Sequence, residues 1–192
     1  MIPGVTSIRE TCMSTPGFRQ EEVRFLLDFD TVFDVEVSGE LSALHEIWKE
    51  APHRNGVRFD NFVSRIGSLP VEMQPYTCVV DVTAADPQNF FMRKHRNRSG
   101  FPDYNRRCLR EIESIMNKNS ILKEYTIAKE RARPQYSEIH QWVGRKSRHY
   151  TRLILPLRDM QGQITTLVFS TRLIDDVVPL SNSLDFPIVL HR

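Results

Sequence analysis

The chain has 192 residues, 40% of them hydrophobic and 26% charged, with a mean hydropathy of −0.38. No window approaches the ~18 consecutive apolar residues of a membrane-spanning helix, and the opening MIPGVTSIRE lacks the apolar run of a signal peptide, so a soluble, cytoplasmic domain is expected. The net charge of +2 conceals two unlike halves: residues 1–90 carry 7 Lys/Arg against 14 Asp/Glu, and residues 91–192 carry 19 against 10.

Residues 1–18 hold three Thr, two Pro and two Gly without periodicity and read as a mobile arm. Gln20 to Phe29 has Val23, Leu26 and Leu27 at helical spacing, and Thr31 to Val37 alternates as a strand does. Ser38 to Glu50 is the stronger helix, with Leu41, Leu44, His45 and Trp48 on one stripe, a cap at Ser38 and a stop at Pro52. Asn55 to Tyr76 reads as an irregular segment anchored by Phe59, Phe62 and Leu69.

Thr77 to Thr83 is a strand interrupted by Asp81, Asp86 and Pro87 make a turn, and Phe90 to Ser99 returns as a strand that becomes strongly basic halfway along. Phe101 to Asn117 reads as a helix with Tyr104, Cys108, Leu109, Ile112, Ile115 and Met116 inward. Ser120 to Arg131 is another, with Leu122, Tyr125 and Ala128 inward, and Pro134 to Val143 is a fifth strand candidate.

Tyr150 to Ile174 is the best-specified unit. Two β-branched and apolar runs flank the polar Arg158 to Gln163, where Gly162 can take positive φ, which predicts an antiparallel hairpin. Alternation suggests one apolar wall of Leu153, Leu155 and Leu157 with Leu167, Phe169 and Leu173. Pro156 cannot donate a ladder hydrogen bond, so it belongs at a bulge, at an edge, or beyond the end of a partner strand. Val177 onward has no sustained period and reads as a strap or disorder.

The order β-β-α-α-β-β-β, ending in three consecutive strands, is that of a PAS domain. The chain resembles the bacterial single-domain PAS-like family over roughly residues 40–175. The likeness is carried by Trp48, the run Val79-Val80-Asp81-Val82, Phe91 to Arg93, Tyr125 with Pro134, the run Tyr150-Thr151-Arg152-Leu153-Ile154-Leu155-Pro156-Leu157, and Gly162. Two departures stand out: the basic run Lys94 to Gly100 replaces an apolar continuation, and one long helix replaces several short ones. The resemblance implies an α+β fold with a five-stranded antiparallel sheet, helices on one face and an N-terminal helical extension. The expected division is 1–37 extension, 38–176 PAS-like domain and 177–192 tail.

That fold implies a cavity between sheet and helices, with Leu153, Leu155, Leu167 and Phe169 as floor and Leu109, Ile112, Leu122 and Tyr125 as roof. Lys94 or His95 would face it as an inward cation, needing Asp81, Glu138 or an anionic ligand. The helix carrying Val23, Leu26 and Leu27 lacks a partner, which suggests a homodimer.

Catalytic signatures are missing: there is no phosphate loop, zinc-protease motif or nucleophile elbow. Asp81 is best read as pairing with an arginine or capping a loop. His95, His140 and His149 are the histidines expected on or near the sheet, but no dedicated metal or haem pocket is expected. Cys12, Cys78 and Cys108 are odd in number and far apart, as reduced thiols are. The expected function is a regulatory or sensory module acting through small-molecule or protein–protein binding, with its cofactor and signalling partner unidentified. The alternatives are nucleic-acid or nucleotide binding by the basic half, through Arg93 to Arg98, Arg106-Arg107-Arg110 and Arg145-Lys146-Arg148, and an enzyme on a modified PAS-like scaffold.

Overall fold

The structure is a computed structural model that describes residues 5–15, 18–27, 39–50, 59–68, 77–95, 104–112, 118–143 and 146–179. It is α+β, built on one open antiparallel sheet. Its strands are β1 (Val5–Thr15), β2 (Phe18–Leu27), β3 (Thr77–Asp81), β4 (Phe91–His95), β5 (Arg107–Cys108), β6 (Gln135–Val143), β7 (Lys146–Arg158) and β8 (Ile164–Pro179). Across the sheet they run β1-β2-β6-β7-β8-β3-β4-β5. Among the described residues three α-helices accompany them: α1 (Gly39–Lys49), α2 (Phe59–Gly67) and α3 (Lys118–Arg131). Among the described residues no helix is long and apolar enough to cross a membrane.

The β7–β8 hairpin forms as its sequence predicts. Gly162 takes φ +81°, and the Asp159 carboxylate accepts the backbone N–H groups of Gln161 and Gln163, both at 2.9 Å. Its register corrects the single-wall expectation. Leu155 pairs with Val168, Ile154 with Phe169 and Pro156 with Leu167. Leu153, Leu155 and Leu157 therefore share a face with Val168, packed with Leu41, Leu44, Phe62 and Ile66 of α1 and α2. Ile154 shares the opposite face with Leu167 and Phe169, packed with Tyr125 and Ala128 of α3.

Helices thus cover both faces rather than one. Residues 153–157 are apolar at both parities, the pattern of a strand buried on two sides, and only the register decides which residues go where.

Pro156 satisfies the third of its expected solutions. Strand β6 ends at Gln135, opposite Ile154, so Pro156 lies two residues beyond that partner. A strand residue's N and O point to the same flank; here the carbonyl oxygen meets Trp48 Nε1 of α1 at 2.9 Å. The indole N–H stands in for the absent strand, and no ladder bond to β8 is lost.

Four expectations are corrected. The arm and the helix at Gln20 to Phe29 are instead the β1–β2 hairpin, joined to the sheet by pairing of β2 with β6. Val23, Leu26 and Leu27 lie in β2 opposite His140, Ser137 and Tyr136, so the helical surface offered for a homodimer does not form. Val23 and Leu27 also fit a period of two, and a long open β6 edge outweighs a weak helical preference. Eight strands, not five, make up the sheet among the described residues.

The irregular segment at Asn55 to Tyr76 contains α2, where Phe62 and Ile66 stand one turn apart and are buried. Finally, the helix at Phe101 to Asn117 is absent from its described part. Arg107–Cys108 pair with the β4 edge and a 3-10 turn follows at Leu109–Glu111. Bonds from Arg106 N to Met92 O (2.7 Å) and Leu109 N to Phe90 O (2.9 Å) hold it there. The strand expected at Thr31 to Val37 lies outside the described residues.

Candidate functional site

Of the residues expected to line a cavity, Leu109, Ile112, Tyr125, Leu167 and Phe169 converge beneath α3, with Leu122 packed against them. Leu153 and Leu155 do not join them, because the register turns both to the α1–α2 face. Lys94 and His95 sit on β4 opposite Val79 and Cys78. The side chains of Lys94 and His95 lie outside what the structure describes. Asp81 Oδ1 accepts the Thr83 backbone N–H (2.9 Å) and hydroxyl (2.6 Å), while Oδ2 accepts Arg93 Nε (3.0 Å) and is also bonded by Arg93 NH2. Asp81 therefore both pairs with an arginine and caps a loop. Burial alone would raise its carboxyl, but the Thr83 and Arg93 bonds outweigh that and hold it below the usual range. Glu138 belongs to β6, four strands across from β4.

A buried cation is present at Arg152. Alternation along β7 puts it on the α3 face beside Ile154, and it is only 8% exposed. Its NH1 donates to Glu124 Oε2 at 3.0 Å, and the Ser137 hydroxyl donates to Glu124 Oε1. Glu124 is 0% exposed, a turn from Ser120 and Ala128 on the inward stripe of α3. Two aromatic rings flank the guanidinium: its Cζ lies 5.3 Å from the Phe169 centroid and 5.8 Å from that of Tyr150. Tyr125 completes the cluster, its ring 5.6 Å from Phe169.

Sequence reasoning passed over this pair. The available signal was two opposite charges, each at an inward position of an otherwise apolar pattern. A planar cation between aromatic rings, balanced by one buried carboxylate, suits recognition of a planar anion.

A second cluster lies on the other face. His140 of β6 is the cross-strand partner of His149 of β7, and Glu138 is two residues along β6. Glu138 Oε1 lies 3.0 Å from His140 Nε2 and 2.8 Å from His149 Nε2, and the imidazoles stack with centroids 4.0 Å apart. The hydrogen bond from His140 holds the Glu138 carboxyl below its usual range; burial opposes this and His149 reinforces it. Tyr136 stands next along the same face, two residues from Glu138, and burial pushes its hydroxyl up. Both histidines were expected on the sheet. That they meet was not foreseen. Compared with known proteins, the chain matches no family model and no curated protein.

Proposed function

We propose that the chain is a PAS-like sensory and regulatory module, which binds a small anionic molecule beneath α3 and signals by altered contacts with itself or a partner protein, without catalysis. The observation that carries this is the buried Glu124–Arg152 pair under α3, which packs on β8 and β3. A closed apolar core has no need of it, and a buried ion pair is weak evidence for stability. A ligand acid group competing with Glu124 for Arg152 would connect binding to the seating of α3.

The chain order supports the PAS-like part. After the β1–β2 hairpin and two helices, the β3–β4 hairpin is followed by the short β5, by α3 and then by three consecutive antiparallel strands, the last of which lies beside β3. Trp48 lies on a helix ahead of β3, Tyr150 to Leu157 fall within β7, and Gly162 is in its turn.

The test is native mass spectrometry of the freshly purified full chain, followed by thermal melts with a panel of small carboxylates and phosphates. The expected result is a retained or added anion that raises the melting temperature, by linkage of about 2.7 kcal/mol at a hundredfold excess over its Kd. The double variant Glu124→Leu/Arg152→Met should stay folded and lose that response. A panel without any saturable shift, or a shift kept by the double variant, overturns the proposal.

A further inference from the structure

We propose that Glu138, His140 and His149 form a binding site for one divalent transition-metal ion, with Nε2 of each imidazole and one carboxylate oxygen as ligands. This does not depend on the PAS-like reading, since it rests on the opposite face of the sheet and on local geometry alone.

The first support is distance. One potential ligand atom from each residue lies within 4.8 Å of the other two, and Glu138 Oε1 is already 2.8 and 3.0 Å from the imidazole nitrogens. Ligands bonded to a zinc-like ion at ~2.0–2.2 Å stand roughly 3 Å or slightly more from one another. Side-chain rotation is therefore enough to admit the ion, and the backbone need not move.

The second support is the scaffold. The three residues come from two adjacent, paired strands: His140 and His149 face each other across the ladder, and Glu138 shares their face because side chains on a strand alternate. Strands fix such a constellation better than loops do. Neighbours fix it further, since Tyr136 and Leu153, the next cross-strand pair but one, are both buried in the core under α1 and α2.

The third is the chemistry of the donors. Two imidazoles and one carboxylate suit zinc, iron(II), cobalt or nickel, whereas calcium and magnesium take all-oxygen shells. Between 25% and 36% of each side chain is exposed, so one side of the ion would remain open to water or another small ligand. Three protein ligands with an open position differ from the closed four-ligand shell of a structural site. An exchangeable, ligand-accepting ion is the kind this cluster would hold.

The competing account is a hydrogen-bonded His–Glu–His chain that only ties β6 to β7. The full chain, labelled with nitrogen-15 histidine and freed of metal by chelator, separates the two. Zinc is added in a long-range proton–nitrogen experiment that reports the ring nitrogens of all six histidines. The expected result is saturation at one ion per chain, with the Nε2 signals of His140 and His149 moving to metal-bound positions. Calorimetry with Glu138→Gln, His140→Ala and His149→Ala should show affinity falling ~10-fold or more in each. No saturable binding, zinc on other histidines, or unchanged affinity in both histidine variants overturns the proposal. Because the labelled wild-type chain reports the ligands directly, a variant that fails to fold leaves that decision intact.

Discussion

Glu124 and Arg152 are 28 residues apart in the chain and share a 3.0 Å charge-assisted hydrogen bond beneath α3. Removing either partner takes this bond from a charge held away from water. Glu124→Leu and Arg152→Met should each destabilise the fold by about 3–5 kcal/mol, whereas Glu124→Leu/Arg152→Met should cost much less than the sum. Urea unfolding of the four proteins closes this cycle, and additive losses would show that the two residues are not coupled.

His45 sets a pH dependence of its own. Burial, and then the charge of Lys49, lower its pKa from 6.5 to about 4, while Glu46 pulls the other way. The ring is 5% exposed and stacks on Trp48 with centroids 6.0 Å apart. Well above pH 6.5 it is neutral folded or unfolded and contributes no slope. As the pH falls from 6.5 toward 4, the unfolded chain takes up a proton that the folded chain refuses, so stability drops, by at most about 3 kcal/mol. His45→Phe should flatten that window in urea titrations between pH 7.5 and 4.5. The depressed Asp81 carboxyl acts lower, its contribution being lost as the pH falls through and below the ordinary carboxylate range.

Asp81 serves two partners through different oxygens, so two substitutions separate them. Asp81→Asn keeps an acceptor for Thr83 and loses only the charge toward Arg93, which is 48% exposed. That should cost under about 1 kcal/mol. Asp81→Ala also removes the acceptor for the exposed Thr83 backbone N–H and should cost about 0.5–1.5 kcal/mol more. Equal losses in thermal or urea unfolding would mean that the loop bond contributes nothing.

Gly162 has φ +81°, and a Cβ placed there would touch nothing within 4 Å. The penalty for a side chain is thus backbone strain alone. Gly162→Ala should lower stability by about 1–2 kcal/mol, and Gly162→Asn by less because asparagine tolerates that conformation better. Equal stability of the alanine variant and the parent in urea would contradict the left-handed turn.

The β7–β8 hairpin was legible because its strands and turn are local in sequence. Which face each leucine takes was not, since 153–157 are apolar at both parities and a one-residue change of register exchanges the faces. The helix expected after Phe101 failed for a related reason. Leu109 and Ile112 do become buried, but the free edge of β4 captures Arg107 and Cys108, a long-range pairing that no helical period reveals. The meeting of His140 and His149 depends on where the preceding turn falls. With the turn drawn over Gly144 to Ser147 they miss each other; with Val143 opposite Lys146, counting three residues back and three forward brings them together.

The position of β8 between β7 and β3 bears on how the chain is made. A ribosome delivers the β3–β4 hairpin and the β2–β6–β7 group first, and until β8 emerges these are two half-sheets that share no strand pairing among the described residues. A nascent chain halted in the turn at Asp159 to Gln163 would hold both halves with their inner edges bare, a state open to wrong pairing and to chaperones. Closure therefore waits for a strand that joins what was synthesised nearly a hundred residues earlier to what has just been made, a long-range step that should set the pace of folding.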